Sequence, residues 1–346
     1  MYGMARSAST LPQEFLPSIN DKPTDSLRKR KLTKQPTLQD ECLQSKKLNL
    51  LLPKPVSSPH LSFSLPEARA HLSQVDPRFS FLFDSFPCRP FEPPKGSLDA
   101  KLPNPFQSLS CSILGQQVST LAARSITYRF IKLFYSDLPE KLNSSVPIST
   151  QPFPKPEQVL ELSVEQLRTA GLSQRKAEYI RDLAQRFSDG RLADDKLMSM
   201  DADTVMAELC AVRGIGPWTA QMFLIFTAKH PDILPCADLA IQKGLLRWYI
   251  SDPLNQSPKK SKKEKIKLTP ETNKEASLAW ANLPAPPIPS NCSLSLSEMK
   301  KRLEKPLKPG VYLTPLEMEQ LSTPWRPYRS IPVCFLWSMT DVAPDY

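Results

Sequence analysis

None of the seven cysteines in this 346-residue chain stands in a CxxC pair. Their number is odd, and they are spread from Cys42 through Cys88, Cys111, Cys210, Cys236 and Cys292 to Cys334. That pattern argues against a disulfide framework and against zinc or iron–sulfur sites with local ligand spacing. It fits a reducing intracellular compartment. Histidine is nearly missing as well: His60, His71 and His230 are too scattered to suggest a metal centre, so no metal or cofactor is expected. No apolar run approaches the roughly 20 residues needed to span a bilayer. The opening residues, Met1 to Phe15, lack the apolar stretch of a secretory signal. Arg and Ser near the start suggest an organellar transit peptide, but Glu14 and Asp21 interrupt it. Glycine is scarce at nine residues, against 37 prolines. The prolines cluster at the N-terminus, around 87–105, around 147–156 and across 284–316, where extended or poorly ordered chain is expected.

The formal net charge of +10 and the 40% of apolar residues are what remains to be used. A basic balance suits a polyanionic partner, either nucleic acid or a membrane surface, without choosing between them. Residues 1–60 are polar and carry Arg28-Lys29-Arg30-Lys31, which reads as a nuclear-import signal, a nucleic-acid patch or a solvated charge cluster. They are expected to be a disordered basic tail, with 61–346 as a helical domain. From about residue 64 the pattern turns helical. One or two short helices are expected in 65–86, and two more in 104–134. In those two, Phe106, Leu109, Ile113 and Leu114, then Leu121, Ile126, Phe130 and Leu133, recur at helical spacing. Three helices follow within 156–190, with Ser163 and Ser173 as N-caps and Gly171 and Gly190 as stops. Helices are further expected at 201–212, with Val205, Met206, Leu209 and Val212 inward, and at 217–228, 238–250, 314–321 and 329–340. Residues 252–310 contain a basic run at 258–267 and a Pro/Ser-rich stretch. They are expected to form an inserted flexible loop. No run of strands is visible, so the fold class is all-α.

The most specific local signal is the string Leu209-Cys-Ala-Val-Arg-Gly-Ile-Gly-Pro-Trp-Thr-Ala220. It reads as a helix, a tight Gly-x-Gly turn and a second helix with Pro217 in its first turn. Gly214 and Gly216 are expected to permit positive φ and close approach of another backbone. The N–H groups opening the second helix would then make a phosphate-binding hairpin. The plain alternative is a helix–helix turn with a glycine cap. Asp238 precedes an apolar helix, where it would be a good N-cap.

The string from Arg213 to Ala220 resembles the hairpin of the helix-hairpin-helix DNA glycosylase superfamily. Leu234-Pro-Cys-Ala-Asp-Leu-Ala-Ile241 is similar to that superfamily's Pro-x-x-Asp segment. Ser112-Ile-Leu-Gly-Gln-Gln-Val-Ser119 resembles the duplex-invading turn of the 3-methyladenine DNA glycosylase II family, and Trp325–Ser330 with Phe335-Leu-Trp337 resembles that family's last helix. The likeness covers about 105–250 and 311–340. It implies a helix-hairpin-helix glycosylase fold and a monomer acting on double-stranded DNA with alkylated bases. It makes Asp238 the catalytic carboxylate, stabilising an oxocarbenium-like sugar or activating water; Asp232 matches no catalytic position. Trp218 and Trp337 become walls for a flipped base, with Met222 beside them, although Met222 also reads as core. Gln117 becomes the wedge that fills the vacated space, next to Gln116. Gly214, Gly216 and Thr219 join the DNA contacts. Lys243 and Arg326, with Arg247 and Arg329, become candidate neutralisers of the backbone.

Strand-nicking members carry a Lys where this chain has Trp218, and a four-cysteine cluster of some relatives is missing. Both departures imply a monofunctional enzyme that leaves an abasic site. Read as an import signal, the basic run at 28–31 implies the nucleus as location. Two alternatives stand beside this reading: a non-catalytic helix-hairpin-helix DNA-binding module, and a glycosylase for deaminated or oxidised bases.

Overall fold

Most helices in the computed structural model begin at a side chain that supplies what the backbone lacks there. The first four N–H groups of a helix have no intrahelical partner. Ser64, Asn104, Ser119, Ser163, Ser173, Asp201, Asp238, Ser295 and Thr314 each accept one or more of them. The structure describes residues 61–86, 88, 90–92, 104–143, 146–251 and 283–338, all within the unit Pro55–Tyr346. The expected tail at 1–60 lies outside them. The elements run α1 (Leu65–Val75), α2 (Arg78–Ser85), α3 (Pro105–Gly115), α4 (Thr120–Lys132), α5 (Pro156–Glu161), α6 (Val164–Arg168) and α7 (Gln174–Ser188). They continue with α8 (Asp194–Ser199), α9 (Ala202–Cys210), α10 (Pro217–Phe226), α11 (Leu239–Ile250), α12 (Leu296–Glu304), α13 (Pro315–Ser322) and α14 (Ser330–Ser338). Among the described residues there is no strand, only an isolated antiparallel bridge between Lys308 and Val311. The fold is all-α.

Two helices organise the packing. The amphipathic α7 buries Ala177, Ile180, Leu183 and Ala184 against α3, α5 and α6. The more apolar α11 packs on α12, α13 and α14. The C-terminal stops fall at Gly171 and Gly190, which take φ of +92° and +76°. The N-terminal helices join α11 through a buried ion pair. Arg78 forks onto Asp76, reaches Trp248 O at 2.8 Å, and lies 4.0 Å over the Trp248 ring. Removing either partner would strand the other charge in the core, at about 3–5 kcal/mol.

The expected flexible loop at 252–310 is corrected in its second half; residues 252–282 lie outside the described chain. Ser295 and Glu298 form a reciprocal capping box that starts α12, and Met299 is fully buried. The Gln242 carboxamide on α11 then clasps the chain beyond. It accepts from Tyr312 N at 2.8 Å and Leu313 N at 3.3 Å, and donates to Cys236 O at 2.9 Å. The reason this segment reads as a loop is physical: it follows a basic and Pro/Ser-rich stretch, and α12 is a short, mostly polar helix whose apolar positions are only Leu296, Met299 and Leu303. The short α8 passed unseen for the same reason. Leu121 is corrected too. Instead of joining the apolar stripe of α4, it stands 80% exposed in the helix's first turn.

Candidate active site and nucleic-acid interface

The hairpin is built by α9 and α10, which pack on each other, with the turn 211–216 between them. Only one of its two glycines is conformationally obliged to be glycine. Gly214 has φ +86°, and a Cβ there would sit 2.1 Å from Cδ2 of Tyr179. Gly216 is extended, with φ −99° and ψ 173°, and a Cβ would meet nothing within 4 Å. The expectation of positive φ at both positions is therefore corrected. Gly216 is the N-cap of α10, and no side chain caps that helix. The N–H groups of its first turn, including those of Trp218 and Thr219, thus form the positive end of the helix dipole beside open space. The Thr219 side chain is buried, so what that residue offers is its backbone N–H.

Facing the hairpin is the turn after α3. Gln116 was expected to touch DNA. Its Nε2 donates to Gly214 O at 2.8 Å, which makes it a strut between the two loops. Lys176 on α7 closes the other side, donating from Nζ to Leu114 O at 2.8 Å. Burial holds the Lys176 pKa below the ordinary lysine value. Gln117 is the exposed tip, with φ +57°. A non-glycine residue in the left-handed region costs on the order of 1–3 kcal/mol and is kept only where the surroundings over-determine it. Val118 and Leu121 flank the tip as exposed apolar side chains.

Asp238 closes the constellation. Its Oδ1 accepts Ala240 N at 2.8 Å and Ile241 N at 3.1 Å, capping α11. Its Oδ2 accepts the Trp218 indole N–H at 2.9 Å. The helix cap and the indole contact thus use different oxygens of one half-buried carboxylate. Trp218, 46% exposed, forms a lip over it. The other expected walls are buried. Trp337 is only 4% exposed, and its ring is stacked on Phe226 at 5.5 Å. Met222 belongs to the core. Both lie on helices that are apolar almost all round, so no polar face turns them toward solvent.

The segment carrying Asp238 is clamped by the C-terminal region. Ile233 N donates to Ser330 Oγ and Ser330 N to Pro231 O, both at 2.9 Å. Arg329 forks onto both oxygens of Asp232 and reaches Glu319 at 2.6 Å. Arg326 meets Asp232 at 3.1 Å and Glu319 at 2.8 Å. Arg326 and Arg329, expected as backbone neutralisers, thus each pair with carboxylates of the protein itself. Lys243 lies over the Tyr312 ring at 4.8 Å. Sequence reasoning missed Asp232, Tyr179 and Lys176 as parts of this assembly. Each acts through a partner far away in the chain, which leaves no local signal. Among the described residues, no group of three or more His, Cys, Asp or Glu is arranged to hold a metal ion.

The hairpin, the tip and the capped carboxylate can now be set beside known proteins. Residues 111–271 match the HhH-GPD superfamily of base excision DNA repair proteins. The likeness extends over that segment, which resembles the superfamily's members. The HhH-GPD segment thus carries the hairpin, the Gln117 tip, Trp218 and Asp238 together. The chain is 32% identical to a DNA-3-methyladenine glycosylase of Saccharomyces cerevisiae, over 47% of this chain and 54% of that protein. It is 28% identical to DNA-3-methyladenine glycosylase 1 of Schizosaccharomyces pombe, over 52% of this chain and 72% of that protein. A crystal structure of a DNA-3-methyladenine glycosidase from Bacillus halodurans aligns at 26% identity with a TM-score of 0.46, covering 81% of this chain and 92% of that one. The chain spans about half the length of several curated relatives that it matches.

Proposed function

We propose that this HhH-GPD chain is a monofunctional DNA glycosylase of base excision repair, hydrolysing the N-glycosidic bond of alkylated purines in double-stranded DNA. The observation that carries the reading is the shared position of Asp238, with one oxygen on the exposed Trp218 indole, beside a hairpin whose helix start offers uncapped N–H groups. The hairpin binds a backbone phosphate by charge and N–H donors, without reading sequence. Gln117 enters the duplex as the damaged nucleotide swings out. The flipped purine meets the electron-rich face of Trp218, which favours a cationic base. As the C1′–N bond lengthens, positive charge grows on the sugar, and the Asp238 carboxylate stabilises it or takes the proton of the attacking water. An alkylated purine already carries a positive charge, so it departs with the bonding electron pair as a neutral base and needs no general acid. Trp218 has no amine to form a Schiff base, so the product is an abasic site in an intact strand. The reading includes a monomeric enzyme that needs no cofactor and works in the nucleus.

The test is incubation of the full chain with duplexes carrying 3-methyladenine, 7-methylguanine, uracil or an oxidised guanine. Wild-type protein is expected to release the alkylated purines, with strand breaks appearing only after alkali. Asp238→Asn is expected to lose release by at least about a hundredfold, the scale of one electrostatic catalytic group, while still binding the duplex. A folded Asp238→Asn protein with near-normal excision removes the catalytic assignment. Release of only uracil or oxidised guanine moves the substrate class, and a borohydride-trapped adduct contradicts the monofunctional mechanism.

A further inference from the structure

The first turns of α7 reach both loops of the candidate interface. Lys176 holds the end of α3, and the Tyr179 ring occupies the space over Gly214. Tyr179 Oη accepts from Arg175 Nε at 3.3 Å, and the Arg175 guanidinium lies 6.0 Å from the centre of that ring. Arg213, in the hairpin turn, lies 5.9 Å from the same centre but is paired with Glu178 at 3.2 Å. Arg175 is exposed and forms no ion pair among the described residues.

An exposed helical arginine is ordinarily just solvated. Arg175 differs in being anchored. Its Nε donates to the hydroxyl of the ring that packs on Gly214, and its guanidinium carbon lies 6.0 Å from the centre of that ring. Its charge is therefore held beside the hairpin on an exposed side chain whose hydrogen bond to Tyr179 uses only Nε. A guanidinium fork with two nitrogens to give matches a phosphodiester geometrically, and holding it in place lowers the entropy lost on binding.

We propose that Arg175 is a side-chain phosphate ligand of the DNA backbone, flanking the phosphate that the hairpin N–H groups hold. The inference rests on the functional reading above. Neutralising one phosphate releases counterions, so each such contact adds about 0.9 to the slope of log K against log salt concentration.

The experiment measures anisotropy of a fluorescein-labelled undamaged duplex with the full chain across a salt series. Arg175→Gln is expected to bind more weakly at low salt, with the slope reduced by about 0.9. Arg175→Lys is expected to keep the wild-type slope. Arg191→Gln serves as a charge control, since Arg191 is already forked onto Asp189 beyond the far end of α7. It is expected to keep the wild-type slope too. Thermal melts of the variants are expected to coincide with wild type, because Arg175 contributes only one long hydrogen bond. An Arg175→Gln slope equal to wild type overturns the inference alone. So does an equal loss in Arg191→Gln, which would mark a bulk charge effect, or an equal loss in Arg175→Lys. A wild-type protein without salt-dependent duplex binding overturns the functional reading and the inference with it.

Discussion

The two oxygens of Asp238 meet different donors, and the division sets what each substitution does. Oδ1 belongs to the helix, through Ala240 N and Ile241 N; Oδ2 belongs to the indole of Trp218. Trp218→Phe keeps an aromatic wall but removes the N–H that orients Oδ2. One hydrogen bond to a charged group is worth about 1.5–3 kcal/mol, so single-turnover excision is expected to fall at least roughly tenfold while duplex affinity stays unchanged. Wild-type excision by Trp218→Phe would show the bond to be incidental. The thiols give a second test at this scale. Burial pushes Cys88 and Cys111 up to about 12, so neither forms thiolate until strongly alkaline pH. Cys210 is exposed. Iodoacetamide at mildly alkaline pH, read by peptide mass spectrometry, is expected to modify Cys210 well before Cys88 or Cys111. Equal labelling would mean that the core opens readily.

At the scale of elements, the hairpin separates stability from binding. Gly214→Ala drives a Cβ into the Tyr179 ring and forces a side chain to positive φ, which costs at least about 1–3 kcal/mol of backbone strain. A lowered melting temperature is expected. Gly216→Ala meets no neighbour, so its melting temperature is expected to match wild type. Its methyl group instead occupies the open space before the α10 N–H groups. Weaker binding to damaged and undamaged duplexes alike is therefore expected by anisotropy. A stable Gly214→Ala protein, or a Gly216→Ala protein with wild-type affinity, would contradict this division. The Gly-x-Gly turn was legible from spacing and the following Pro217. Which glycine is strained was not, because Tyr179 decides it from another helix.

Taken whole, the site is a set of loops held by two helical scaffolds. Gln116 and Lys176 tie the tip to the hairpin and to α7, while Arg329 and Ser330 hold the Asp238 segment from the C-terminal region. Every residue placed at the site lies beyond residue 110. A protein lacking 1–60 is therefore expected to keep its excision rate on an alkylated duplex. We propose that the basic run at 28–31 directs nuclear accumulation, so a fluorescent fusion without it is expected to spread through the cell. Loss of excision on truncation would show that the tail supports the fold or the site.

What the sequence by itself determined is local. Helix starts are set by a side chain and N–H groups two or three residues away. Apolar periodicity of 3.6 picks out α7 and α9. Gly-x-Gly before Pro217 makes a hairpin, and Asp238 before an apolar helix makes a cap. These interactions close within a turn or two of chain, so their residues stand side by side in the text. Tertiary structure alone decided the burial of Trp337 and Met222, the pairing of Arg326 and Arg329 with Asp232 and Glu319, and the strut role of Gln116. It also decided the docking of 283–313 on Gln242. Each depends on which distant surface arrives opposite. Exposure and charge pairing are properties of that juxtaposition, and the same tryptophan or arginine reads identically in sequence whether its partner is a flipped base, a phosphate or the protein's own core.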